Sequence, residues 1–149
     1  ILNTSINDND LIINIQCDEP FLKKSHFHTI IKLFNTNTEI GTLISPLNKD
    51  ENSDKSIVKV KTNNKLTAID FKRTNIKIEK GLYKHIGIYA YRKKTLIKLR
   101  QLPRVKREIN ESLEQLRWLS YGYNIQCGFI KDNLISINTK KDVEKSNKK

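Results

Sequence analysis

Four polar side chains close what reads as a buried strand. In Asp10–Pro20, DLIINIQCDEP, the residues Leu11, Ile12, Ile13 and Ile15 form a near-continuous apolar run, and Gln16, Cys17, Asp18 and Glu19 follow at once, closed by Pro20. Open α/β sheets bind ligands just beyond the carboxyl ends of their strands. A strand that stops at two acids therefore marks the floor of a candidate site. Asp18 and Glu19 are adjacent, so on extended backbone they point to opposite sides and do not form a paired acid and base. A single carboxylate there suits Mg²⁺, which takes one or two carboxylates and completes its shell with phosphate and water. The plain alternative is a turn residue capping the following helix, and these residues alone favour the cap.

Two further groups have the right chemistry. His85 and Tyr89 share one face of the strand YKHIGIYAY, Tyr83–Tyr91, and could read a polyhydroxy ligand; an edge histidine and a half-buried tyrosine are the commoner reading. Glu114, Gln115 and Arg117 lie within one helical turn, so not all three face inward, and a solvated face with local ion pairs explains them as well. The two cysteines, Cys17 and Cys127, make no metal spacing, and His26 and His28 have no cysteine partner nearby, which argues against zinc. There is no glycine-rich phosphate loop, no Ser-His-Asp set and no nucleophile elbow.

The elements that must position these residues follow from periodicity. Pro20–Phe34 reads as a helix with Pro20 in its first turn, and Glu39–Ser45 as a strand. Asn48–Asp54 reads as a polar, mobile linker. Ile57–Lys61 and Leu66–Phe71 make a half-exposed hairpin around Asn63-Asn64, and Lys72–Gly81 is a basic loop. In Tyr83–Tyr91, Ile86, Ile88 and Ala90 face one way. His85, Gly87, Tyr89 and Tyr91 face the other, towards a cavity. Thr95–Gln101 and Ile109–Leu119 are helices, the second ended by Gly122; Asn124–Gly128 and Leu134–Ile137 are strands. The last stretch, from Asp142, is a charged helix fraying into a tail over 140–149. This order predicts one α/β domain with a mixed sheet.

Composition narrows the field. The 149 residues, 37% hydrophobic and 30% charged, suit one globular domain, with no apolar run long enough to span a bilayer; the first residues carry no basic stretch followed by an apolar core, so no signal peptide is expected from them. Two isolated thiols fit a reducing cytosol. The net charge of +12 comes from scattered lysines and a basic tail, Lys140–Lys149, with no aromatic stacking platform, so neither nucleic acid nor a membrane is the expected partner. The chain starts at Ile1 and contains no methionine, so it is expected to be a piece of a longer protein.

Taken together, several blocks resemble the 3-deoxy-manno-octulosonate cytidylyltransferase (CMP-KDO synthetase) family. INIQCDEP (Ile13–Pro20) is similar to VNVQGDEP. The stretch Val58–Arg73, with its VKV strand and AIDFKR, is similar to VKVV…ALYFSR. KHIGIYAYR (Lys84–Arg92) and ESLEQLRWLSYG (Glu111–Gly122) match closely, and SINTKKDVE (Ser136–Glu144) resembles a G-[IV]-D-T-P-E-D-L-E ending. The resemblance implies a three-layer, Rossmann-like nucleotidyltransferase fold whose N-terminal part is missing. It also implies the reaction CTP plus KDO giving CMP-KDO and pyrophosphate, for lipopolysaccharide, by a cytoplasmic, Mg²⁺-dependent homodimer. Residue by residue, Asp18 becomes a Mg²⁺ ligand, with Gln16 and Glu19 beside it. Arg73, His85 and Tyr89 contact the sugar acid, Arg73 offering its fork to the carboxylate. Glu114 and Gln115 close the sugar pocket, and the second metal ligand falls at Asn138.

The departures from the family matter. Asn138 replaces an aspartate, Cys17 a glycine and Lys72 a serine, while VKRE (Val105–Glu108) replaces S-P-L-E. The family's CTP-binding loop falls outside the chain. The alternative to an enzyme is accordingly a non-catalytic relic or binding module from a truncated or decayed gene of the same family, and the 149 residues alone are not expected to turn over CTP and KDO.

Overall fold

The structure is a computed structural model that describes residues 7–35, 37–76, 78–137 and 139–147. It is organised around one long strand. In chain order the elements are β1 (Leu11–Ile15), α1 (Lys24–Lys32) with a 3-10 turn at Leu33–Asn35, β2 (Ile40–Ser45), α2 (Lys49–Ser53), β3 (Lys59–Thr62) and β4 (Ala68–Lys72). They continue with β5 (Leu82–Arg92), α3 (Lys93–Gln101), α4 (Lys106–Glu111), α5 (Gln115–Ser120), β6 (Ile125–Phe129) and α6 (Lys140–Ser146).

The sheet runs β4-β3-β5-β2-β6, with β1 also on β5, and is mixed because only β2 and β6 pair in parallel. β5 is 11 residues long, and two strands share one of its edges. β3 pairs with Leu82–Lys84 and β1 with Ile88–Arg92, both antiparallel, while β2 occupies the opposite edge. Between β1 and β3 the edge is open around Gly87.

Side-chain alternation on β5 sets up two cores. Ile86, Ile88 and Ala90 join Leu43, Ile30 and Phe34 under α1. Tyr89 and Tyr91 join Ile40, Ile44, Phe71, Leu99, Leu116 and Trp118 under α3 and α5. Helices on both faces make three layers, as the α/β expectation requires. No helix among the described residues is long and apolar enough to cross a membrane.

Several sequence expectations are corrected. α1 starts at Lys24 and not at Pro20, because residues 16–20 turn back towards β5; the His26 ring then accepts the Lys23 N–H at 3.0 Å at the helix start. The polar stretch after Asn48 is a helix, closed by the Asn48 N–H donating to Glu51 at 2.9 Å. On the basic side of β3, expected to be half-exposed, Lys61 stays partly exposed but Lys59 is fully buried. The helix expected over Ile109–Leu119 breaks at Ser112, whose φ is 52°. Residues 115–118 are all buried, more than one face of a continuous helix can hide, and the break lets α5 rotate in against the sheet. Leu134–Ile137 is extended but not a ladder strand; it crosses the front of the open edge, where the Ile137 N–H donates to the Asp18 carbonyl at 2.8 Å.

Candidate functional site

The open edge around Gly87 is the floor of a cavity of about 480 Å³. Gln16 continues β1 by one step, donating its N–H to the Gly87 carbonyl at 2.9 Å. A turn, closed by the Glu19 N–H on the Gln16 carbonyl at 3.1 Å, then brings Glu19 back over Gly87. The Glu19 carboxylate accepts the Gly87 N–H at 2.9 Å and the Ser136 hydroxyl at 2.8 Å. Burial raises its pKa above the ordinary carboxylate value, against the pull of those two donors. Glu19 is thus a structural tie. Asp18, half-buried beside it, lines the cavity with a carboxylate that makes no hydrogen bond or ion pair among the described residues.

The opposite wall comes from α2 and the β4–β5 connection. Lys84 is buried on β5 and pairs with Glu51 of α2 at 2.8 Å, also donating to the Leu134 carbonyl at 2.7 Å. Lys59 donates to the carbonyls of Asp54 at 2.6 Å and Arg73 at 3.0 Å, stitching the two turns that rim the cavity. Burial lowers its pKa, with Asp54 opposing. Arg73 is half-buried at that rim, and its guanidinium donates to the Ser56 carbonyl at 3.2 Å.

His85 is 7% exposed and lines the cavity from β5. Its ring packs edge-on against Phe71, and Nε2 lies 2.9 Å from the Thr42 hydroxyl. Burial, with Arg73 adding to it, pushes its pKa down to about 3, so the ring is neutral at physiological pH.

Of the residues singled out from sequence, Gln16, Asp18, Glu19, Arg73 and His85 meet at this cavity. Tyr89 does not line it. Only the first half of the His85–Tyr91 face borders open space, because Trp118 packs edge-on against both Tyr89 and Tyr91. Burial in that cluster raises the Tyr89 pKa well above its ordinary value. Glu114 is largely exposed and pairs with Arg117, Gln115 is buried at the start of α5, and neither lines the cavity. Asn138 lies outside the described residues. Sequence reasoning missed Lys59, Lys84, Glu51 and Thr42. The signals were there: N-x-x-E at Asn48–Glu51 is a capping box, and lysines inside strands need buried acceptors.

Six carboxylates, Asp18, Glu19, Asp50, Glu51, Asp54 and Asp142, line the cavity against two cations, Arg73 and Lys84, in a chain of net charge +12. No cluster of three or more metal-ligating side chains converges among the described residues. The unpartnered Asp18 carboxylate on an acidic wall fits a hard divalent ion that takes one or two protein oxygens and leaves its other positions to phosphate and water.

The cavity lies where β1 and β3 part along one edge of β5, just beyond the carboxyl end of β1. The fold around it is of the nucleotidyltransferase class. The model of the cytidylyltransferase family matches residues 1–131, and the chain belongs to that family. It is 40% identical over 154 residues to a 3-deoxy-manno-octulosonate cytidylyltransferase of Parabacteroides distasonis, covering 92% of this chain and 61% of the relative. An 8-amino-3,8-dideoxy-manno-octulosonate cytidylyltransferase of Shewanella baltica is 34% identical over 158 residues, covering 97% and 64%. A solved CMP:2-keto-3-deoxy-manno-octonic acid synthetase complexed with CTP superposes with a TM-score of 0.82 at 33% identity, covering 93% of this chain and 61% of that one. The chain thus spans about three fifths of the length of these relatives.

Proposed function

We propose that these residues form the sugar-acid side of a 3-deoxy-manno-octulosonate cytidylyltransferase, which joins CTP and KDO to give CMP-KDO and pyrophosphate. The observation that carries this is the meeting of Asp18, Arg73 and His85 around one cavity at the open edge of β5. KDO is a carboxylate with a row of hydroxyls. Arg73 supplies a planar cation at the rim for the carboxylate. His85, neutral and held from behind by Thr42, faces a hydroxyl. Glu19 keeps Gly87, Gln16 and Ser136 in one place, so that Asp18 projects from a fixed turn.

In the reaction the anomeric hydroxyl of the sugar acid attacks the α-phosphorus of CTP, its proton passes to solvent, the new P–O bond forms as the bond to the α,β-bridging oxygen breaks, and pyrophosphate leaves in line. Mg²⁺, held by Asp18 and by an amide oxygen at Asn138, would neutralise phosphate charge. On this reading Asp18 serves the phosphate side through the metal and Arg73 takes the sugar acid's carboxylate; both line the one cavity. On this reading the complete protein is a cytoplasmic homodimer serving lipopolysaccharide synthesis.

The test has two arms. Titration of the 149-residue chain with KDO, followed by amide NMR, should shift Gly87, His85 and Arg73. Arg73→Lys, which loses the fork but keeps the charge, should weaken binding about ten- to a hundredfold, the worth of roughly 1.5–3 kcal/mol for a charged hydrogen-bonded pair. In the complete protein, CTP and KDO with Mg²⁺ should yield CMP-KDO. A shift pattern away from the cavity, or preference for the 8-amino sugar, would replace this reading.

A further inference from the structure

The side chain of Thr42 is fully buried on β2, where the register against β5 slips: Thr42 faces Tyr89 while the next residue, Leu43, faces Ile86. The Thr42 hydroxyl fills that break. Its oxygen lies 2.7 Å from the Ile88 carbonyl oxygen and 2.9 Å from His85 Nε2.

A hydroxyl carries one proton, and a carbonyl can only accept. Two oxygens 2.7 Å apart need a proton between them, so the Thr42 proton is committed to Ile88. The remaining carbonyl contact, to Ile86 at 3.5 Å, is too long to compete. The short contact to His85 therefore requires that Nε2 bring its own proton and that Thr42 accept it. The neutral imidazole has one N–H, so Nδ1 is left as a bare lone pair. Nδ1 has no hydrogen-bond partner among the described residues and is not among the fully enclosed polar atoms; the open space beside this ring is the cavity it lines.

We infer that Thr42 is a positioning residue. It fixes His85 as the Nε2–H tautomer, so that the ring presents to the cavity an acceptor at Nδ1 for a ligand hydroxyl, and no donor for a ligand carboxylate. The proposed function enters only in naming the ligand as a polyhydroxylated acid. The division of labour is then chemical: Arg73 takes the carboxylate and His85 takes a hydroxyl proton donor.

The chain itself, ¹⁵N-labelled, tests this by long-range ¹H–¹⁵N correlation of its histidine rings. His85 should show a pyridine-type Nδ1 and a pyrrole-type Nε2, unchanged from about pH 5 to 8. Thr42→Val should shift the ring towards the other tautomer, and Thr42→Ser should restore the wild-type pattern. An Nδ1–H tautomer in the wild type, or a Thr42→Val spectrum with the ratio unchanged, overturns the inference. If the valine variant fails to fold, the wild-type spectrum and the serine variant still decide it. Added KDO should move the Nδ1 resonance and leave Nε2 in place; movement of Nε2 alone overturns the acceptor role. A spectrum in which KDO moves no resonance counts against the proposed function, while the tautomer assignment stands on the ligand-free spectra.

Discussion

The Glu19 carboxylate accepts the Gly87 N–H at 2.9 Å across 68 positions of sequence, joining the end of β1 to the middle of β5. The contact exists because Gly87 has no side chain. A Cβ there would come to 3.1 Å from Gln16 Cδ and 3.1 Å from Glu19 Cγ. Gln16 is exposed and can swing aside, but Glu19 is buried and held by Ser136 as well. Gly87→Ala should therefore cost about 1–3 kcal/mol in urea denaturation, the usual penalty of overpacking. It should also push Gln16 into the cavity and weaken KDO binding. Unchanged stability with unchanged binding would show that the floor is looser than its geometry.

His85 makes stability depend on pH in a predictable direction. Its pKa falls from 6.5 to about 3 on folding, so below pH 6.5 the unfolded chain binds a proton that the folded chain refuses. The stability tied to His85 is thus fully present above pH 6.5 and is lost progressively as pH falls towards 3. The slope should approach about 1.4 kcal/mol per pH unit for this single proton. His85→Gln keeps a donor for Thr42 but does not titrate. Denaturation curves from pH 7 to about pH 4 should show the variant losing less stability than the wild type by that slope. Parallel curves would mean that the ring is protonated within the folded protein.

How far these features were legible in sequence follows from the range of the forces involved. β2 and β5 were visible because burial on both faces leaves apolar or alternating runs, as in Lys84–Tyr91. β1 was visible from its apolar run, but the buried strand expected there is only half-buried over Leu11–Ile13 and exposed at Ile15, because it lies on one edge of β5. The break at Ser112 was not visible, since Leu113, Leu116 and Leu119 keep helical spacing; what overrides it is the demand of Tyr89 and Tyr91 for Trp118. Asp18 and Glu19 were legible as a pair of acids, but not as one tie and one free carboxylate. That distinction is made by Gly87 and Ser136, both distant in sequence. Lys59 read as a surface residue of an alternating strand because periodicity does not register a carbonyl acceptor arriving from residue 73.

That buried lysine carries the next prediction. Lys59→Met preserves most of the volume and takes the ammonium from two carbonyls: that of Asp54 keeps the Ile57 N–H at 3.2 Å, while that of Arg73 loses its donor. One part-buried acceptor left unsatisfied costs about 1–3 kcal/mol, so the variant should lose stability on the order of 1–2 kcal/mol. A local effect should accompany the loss. Amides at 54–57 and 73–76 should exchange faster with solvent, while those of α1 on the far side of the sheet keep their rates relative to global unfolding. Uniform acceleration would make Lys59 a general core residue with no particular hold on the rim.

Asp18, whose carboxylate has no partner among the described residues, and Asn138, where the resemblance implies an aspartate, are the two residues of the proposed metal site. Mn²⁺ can replace Mg²⁺ as a paramagnetic probe of the chain without any need for turnover. Amides around Asp18 should broaden first, and Asp18→Asn should abolish the effect, because an amide oxygen brings no charge to a divalent ion. Asn138→Asp restores a second carboxylate. One added charge beside a divalent ion is worth roughly 1–2 kcal/mol in a solvated site, so the concentration for half-maximal broadening should fall on the order of tenfold. Broadening that survives Asp18→Asn but follows Asp50 and Glu51 would move the ion to α2 and leave Asp18 with the turn. An Asn138→Asp variant with unaltered Mn²⁺ affinity would remove residue 138 from the proposed ligand set.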